Sequence, residues 1–288
     1  MKYIKAKDKI IIKNCEDFNA QHILECGQVF RYKLVDKDYI VYSKDKCAFI
    51  KQNCNENCVE IITNDVDYFE NYFDLKQDYS LIKKTILSNC KFLNDKQVMQ
   101  KAMQFGSGIR ILRQDSFEMV ISFLISQNNN IKRIQNSVEK LSQTYGTNMG
   151  GYFAFPTPQQ LKNATEEDYK SFGLGYRAKY MVEVVKAFQD FNYENFKNLS
   201  LENQILELLK IKGIGAKVAD CILLFGFYQM RVFPVDTWIE KVYNQHFNSE
   251  NLSLSRNEIR QKLVEIFGDY SGYAQQYLFY YQRIFLKK

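Results

Sequence analysis

Two side chains suited to chemistry lie in one stretch, LLKIKGIGAKVADCILLFGFYQMRVFPVDTWIEKVY, from Leu208 to Tyr243: the amine of Lys217 and the carboxylate of Asp236. Lys217 stands just past Lys212-Gly213-Ile214-Gly215, which separates two apolar segments of helical length. Gly213 and Gly215 permit positive φ and close backbone approach, so the hairpin can aim N–H groups at a phosphate before the helix that follows. That points to a nucleic acid. A lysine there either touches phosphate from an exposed helix or, when neutral, acts as a nucleophile. Asp236 either caps the helix TWIEKVY or supplies fixed negative charge to a cationic transition state. Asp220 is three residues from Lys217 and reads as a structural polar group.

Composition narrows the chemistry further. The chain of 288 residues has two histidines, His22 and His246, which leaves no basis for a His triad or a His-rich metal site. Its seven cysteines are odd in number and irregular in spacing, as expected of a reducing compartment. Cys47, Cys54 and Cys58 are the only metal-like cluster and lack a fourth ligand at a usual zinc spacing, so no metal site is expected. No run approaches the ~20 apolar residues of a membrane span, and MKYIKAKDKIII does not read as a signal peptide. The expected location is cytoplasmic and nucleoid-associated in a prokaryote, or nuclear in a eukaryote. Thirty-nine Lys and Arg against 33 Asp and Glu leave a formal +6, which favours a polyanionic partner.

Elements that position these residues follow from periodicity. Short β-rich runs between Lys9 and Thr63 (IIIK, VFRYKLV, YIVYS, CAFIKQ, VEIIT) predict a small antiparallel sheet, with a short helix between Asp17 and Leu24. Beyond Val66 the apolar spacing turns helical. Asp115 or Ser116 should cap FEMVISFLIS, which stops at Gln127-Asn128-Asn129-Asn130. A helix is expected from Ile131 to Tyr145, another from Pro158, and a short one from Thr165 to Ser171 with Asp168 completing a capping box. The predicted organisation is α+β: a sheet domain with flanking helices over residues 1–90, then a mostly helical, two-lobed region over 91–288 with the hairpin at about 208–226.

The order Gly213, Gly215, Lys217, Pro234-Val235-Asp236 resembles the helix-hairpin-helix motif of base-excision DNA glycosylases. Four further segments, ECGQVFRY from Glu25, RQDSFEMVISFLISQNNNIKRI from Arg113, LGYRAKY from Leu174 and GYAQQYLF from Gly272, are similar to the eukaryotic-type 8-oxoguanine DNA glycosylases. Together they run from near the N-terminus almost to the C-terminus. The resemblance implies a bifunctional glycosylase and abasic-site lyase acting on double-stranded DNA that contains oxidised guanine, with no organic cofactor, as a monomer.

It also implies roles. Lys217 would be the Schiff-base nucleophile and Asp236 the carboxylate that stabilises the cationic sugar. Cys221 and Phe279 would sandwich the flipped base, and Gln275 would read its pairing edge. The Gly27 carbonyl would accept from the hydrogen that oxidation places on N7, where guanine has a lone pair. Asn128 would fill the vacated stack, Tyr176 would wedge beside the opposite base, and Arg133 and Arg177 would donate to an unpaired cytosine. Gly213 and Gly215 would hold phosphate.

Two positions depart from the family pattern: Trp238 stands where histidine is usual, and Gln282 where that histidine's acidic partner is usual. Trp238 is therefore expected to pack on the sugar-phosphate backbone. Two alternatives stay open on sequence grounds: a glycosylase for alkylated bases, against which Gly27, Cys221, Gln275 and Phe279 argue, and a non-catalytic DNA-binding module, for which Asp236 would be superfluous.

Overall fold

In the computed structural model, which describes residues 1–53, 57–249 and 251–285, the β-rich runs form a six-stranded sheet. Its strands are β1 (Lys2–Lys5), β2 (Lys9–Lys13), β3 (Tyr32–Val35), β4 (Asp38–Ser43), β5 (Lys46–Asn53) and β6 (Cys58–Ile62), in the order β1-β2-β6-β5-β4-β3. Alternation sets the buried face: Ile10 opposes Ile61 and Ile12 opposes Val59, all four fully buried. β1 was not anticipated, because only one of its residues is even half-buried. It is an edge strand held by register with β2 and by Lys5, which pairs with Asp67 at 2.7 Å and Glu70 at 3.1 Å. Lysines on an edge also discourage pairing with foreign strands. Cys54 of the cysteine trio lies outside the described residues.

Apart from one short helix between β2 and β3, the helices follow the sheet, as expected for the α+β class. In chain order the helices begin with α1 (Ala20–Leu24), α2 (Val66–Tyr72), α3 (Tyr79–Asn89), α4 (Leu93–Phe105), α5 (Ser116–Ser126), α6 (Ile131–Tyr145) and α7 (Glu166–Ser171). After a 3₁₀ turn at Gly175–Arg177 come α8 (Ala178–Phe188), α9 (Tyr193–Lys197), α10 (Leu201–Leu209), α11 (Ala216–Gly226), α12 (Thr237–Val242), α13 (Arg256–Phe267) and α14 (Ser271–Phe285). Caps match the sequence signals: Asp115 accepts from the Glu118 amide, and Thr165 with Asp168 forms the reciprocal box. No helix starts at Pro158. Residues 158–163 form consecutive turns whose bonds include Leu161 N to Pro158 O and Lys162 N to Gln159 O, and the new cap at Thr165 leaves no room for a second turn of helix.

The chain divides into two compact units, one of residues 1–29, 50–112 and 229–288, the other of residues 30–49 and 113–228. In the first, the fully buried Arg110 lies 4.0 Å from the Tyr79 ring centroid and donates to the carbonyls of Phe73, Asp17, Asp74 and Gln77. Beside it the Gln28 amide donates to Ile23 and Arg110 carbonyls and accepts from the Leu112 amide, which fixes the chain on one side of Gly27. In the second unit α5 is buried from Phe117 to Ile125. One of those buried residues is Glu118, which accepts from the Lys44 amide at 3.0 Å with the Arg31 guanidinium 4.0 Å away. Burial pushes its carboxyl up to about 7, partly opposed by Arg31.

Candidate active site

In the second unit the hairpin joins α10 to α11. Gly213 adopts φ +101, and a Cβ there would lie 2.5 Å from the Tyr180 Cβ, so both conformation and space require glycine. Gly215 differs from expectation. Its φ is −95, it is the N-cap of α11 without a side-chain cap bond, and a Cβ on it would meet nothing within 4 Å. The chain itself makes no demand for glycine there. What the missing side chain leaves open is access to the first-turn amides of α11, which have no acceptor within the helix.

Lys217 is the second residue of α11. It is half-buried, with Nζ 5.8 Å from the Phe123 ring centroid, and Phe123 in turn stacks on Phe225. Among the described residues the amine forms no ion pair. Cys221, one helical turn on, is 3% exposed.

The loop after α5 lies against the same hairpin. Gln127 Nε2 donates to the Gly213 carbonyl at 3.0 Å, and the Gln127 carbonyl accepts from Arg177 Nε at 2.7 Å. Arg177 is buried, and its remaining donors reach the carbonyls of Asn128 and Leu174. Its guanidinium is thus committed to the backbone, and contact with a base would require exchange of these bonds. Asn128 is exposed at φ +45, a conformation that asparagine tolerates better than most residues. Arg133 is exposed on the first turn of α6. Tyr176 is 52% exposed, its ring 4.5 Å from the Arg177 guanidinium and edge-on to Tyr180. Gln127 and Tyr180 were missed from sequence. Both act by contact with a distant glycine, for which periodicity carries no signal.

The first unit holds the other set. Asp236 caps α12 through Oδ1 alone, which accepts from the amides of Trp238 at 2.9 Å and Ile239 at 3.0 Å. Oδ2 accepts no hydrogen bond among the described residues. The half-buried Trp238 has the Lys241 amine 5.2 Å from its ring centroid, and Gln282 is buried. Gln275, 5% exposed, donates to the Pro234 carbonyl at 3.4 Å, while its Oε1 finds no partner among the described residues. An orphaned buried amide oxygen costs about 1–3 kcal/mol and has the capacity to accept from a bound group or a water. Gly27 is at φ +92, and a Cβ on it would lie 3.2 Å from the Phe279 ring. The neighbouring Cys26 thiol is pushed up to about 11 by burial and remains a neutral thiol.

Known proteins resemble this chain over most of its length. The family model described as "8-oxoguanine DNA glycosylase, N-terminal domain" matches residues 10–120, and "HhH-GPD superfamily base excision DNA repair protein" matches residues 121–268. The N-glycosylase/DNA lyase of Saccharomyces cerevisiae is 31% identical over 92% of this chain and 84% of its own length. The chain belongs to the 8-oxoguanine DNA glycosylase family. This glycosylase is also similar to the crystal structure of the Clostridium acetobutylicum 8-oxoguanine glycosylase/lyase bound to duplex DNA with cytosine opposite 8-oxoguanine. The TM-score is 0.87 at 37% identity, covering 98% of each chain. The Arabidopsis thaliana N-glycosylase/DNA lyase is 32% identical over 60% of this chain, and the match spans 51% of the plant protein.

Proposed function

We propose that this DNA glycosylase/lyase excises 8-oxoguanine, preferentially opposite cytosine, from duplex DNA by turning the base out of the stack. The observation that carries the reading is Lys217, a half-buried amine on the first turn beyond the Gly213 hairpin that forms no ion pair among the described residues. The hairpin amides grip a phosphate of the damaged strand. Lys217 Nζ attacks C1′, the N-glycosidic bond breaks with its electrons leaving on the base, and ring opening gives a Schiff base. Loss of a C2′ proton then expels the 3′ phosphate and nicks the strand. Asp236 Oδ2 offsets the positive charge that develops on the sugar. Gln275 Oε1 takes a donor from the base, Phe279 and Cys221 cover its faces, and the Gly27 carbonyl accepts from N7–H. Asn128 and Tyr176 fill the gap, and Arg133, with Arg177 once released, donates to the unpaired cytosine. The protein acts as a monomer.

Borohydride trapping on a duplex with 8-oxoguanine opposite cytosine tests this directly. Wild type is expected to form a covalent complex on the lesion duplex and none on undamaged DNA, and Lys217→Gln none on either. Base release without a trapped complex would remove the nucleophile role of Lys217. Absence of both would remove the substrate assignment.

A further inference from the structure

α14 carries Gln275, Phe279 and Arg283 at successive four-residue steps, which places the three along one stripe of the helix. The first two are accounted for above, and Arg283 is not. It is 9% exposed, and its Nη2 donates to the Glu25 carbonyl. From the same helix Gln276 Nε2 donates to the Cys26 carbonyl at 2.9 Å. Two consecutive carbonyls of the turn before Gln28 are therefore held by α14. The third, that of Gly27, accepts no hydrogen bond among the described residues.

The guanidinium also lies against Gly27 and Phe279. A Cβ on Gly27 would lie 2.8 Å from Arg283 Nη1, and the guanidinium carbon is 5.3 Å from the Phe279 ring centroid. One cation thus holds the turn from below while resting on the ring beside it. Telling a hydrogen from a lone pair on N7 requires a carbonyl held at hydrogen-bond distance and in fixed direction, because a displacement near 1 Å forfeits the contact. A loose guanidinium there would work against that selection, since arginine donors favour the N7 and O6 acceptors of undamaged guanine. Commitment of Nη2 to Glu25 keeps that donor engaged within the protein.

We propose that Arg283 is the positioning residue for base recognition: it fixes the Gly27 carbonyl relative to the Phe279 ring by bridging the Glu25 carbonyl and that ring. The inference rests on the reading of Gly27 and Phe279 as the pair that receives the base. Lysine can still donate to Glu25 but lacks the planar fork, so it restores function only in part.

The test compares two single-turnover reactions of the full chain: base release from an 8-oxoguanine:cytosine duplex, and strand cleavage at a preformed abasic site, which presents no base to be positioned. For Arg283→Met, base release is expected to fall by about 10- to 100-fold while abasic cleavage stays within about twofold of wild type. Arg283→Lys should recover part of the loss in base release. Equal losses in both reactions would mean a merely structural role and overturn the inference, as would unchanged base release. A wild type that cleaves the abasic duplex yet releases no 8-oxoguanine would overturn the substrate reading, and the inference with it.

Discussion

At the scale of single residues, Asp236 divides its two oxygens between tasks. Oδ1 terminates α12 and orients the carboxylate, and Oδ2 carries no hydrogen bond among the described residues. Asparagine can accept the same two amide bonds. Asp236→Asn should therefore unfold within about 0.5 kcal/mol of wild type yet release base about 10²- to 10³-fold more slowly; wild-type rates in that variant would reduce the residue to a helix cap. Trp238 makes a different case. Its ring carries Lys241 and stands where the family usually has a histidine, so it is expected to pack on the sugar-phosphate backbone. Trp238→Ala should weaken duplex binding by roughly tenfold, or ~1.4 kcal/mol. Unchanged affinity and salt dependence in a titration at several salt concentrations would remove that role.

At the scale of elements, the two hairpin glycines serve separate ends. Gly213 is required by the fold, through positive φ and Tyr180, whereas Gly215 has ordinary dihedrals and open space around it. Gly213→Ala is expected to destabilise the protein by roughly 1–3 kcal/mol. Gly215→Ala should melt within a few degrees of wild type, because alanine restricts the unfolded chain but is a poorer N-cap than glycine. Its methyl group should nonetheless weaken duplex binding by about tenfold by obstructing phosphate at the α11 amides. Melting curves and fluorescence anisotropy on the two variants separate fold from grip. Wild-type binding by the Gly215→Ala protein would show that no phosphate comes close at that point.

At the scale of the whole molecule, buried charge ties stability to pH. The Glu118 carboxyl has its pKa raised from 4.5 to about 7, chiefly by burial. The folded chain then holds a proton that the unfolded chain has released, so this contribution is fully present below the unfolded value and lost as pH rises through the folded one. Glutamine does not titrate. Relative to wild type, Glu118→Gln should gain on the order of 3 kcal/mol between about pH 4.5 and about pH 8. Denaturant unfolding at both ends of that window gives the gap, and a gap independent of pH would mean that the carboxyl stays ionised in the fold.

Local signals were enough for much of this protein. Short β-rich runs identified β2 and β6, and polar caps identified α5 and α7, because each signal depends on residues a few positions apart. β1 escaped because an edge strand with almost no buried face has no alternation to read. The rest depended on contacts across long stretches of chain. Sequence assigned the same freedom to Gly213 and Gly215, and only the folded chain distinguished the two, by a positive φ and the packing of Tyr180 at Gly213 alone. The resemblance offered Arg177 as a donor to the unpaired cytosine, and only the fold shows its guanidinium bonded to the distant carbonyls of Gln127 and Asn128. Arg283 carried no signal in the sequence, and the fold sets it against Glu25 and Phe279. Periodicity and capping are properties of neighbouring residues and survive in the linear chain; a hydrogen-bond partner hundreds of residues away exists only once the chain has folded.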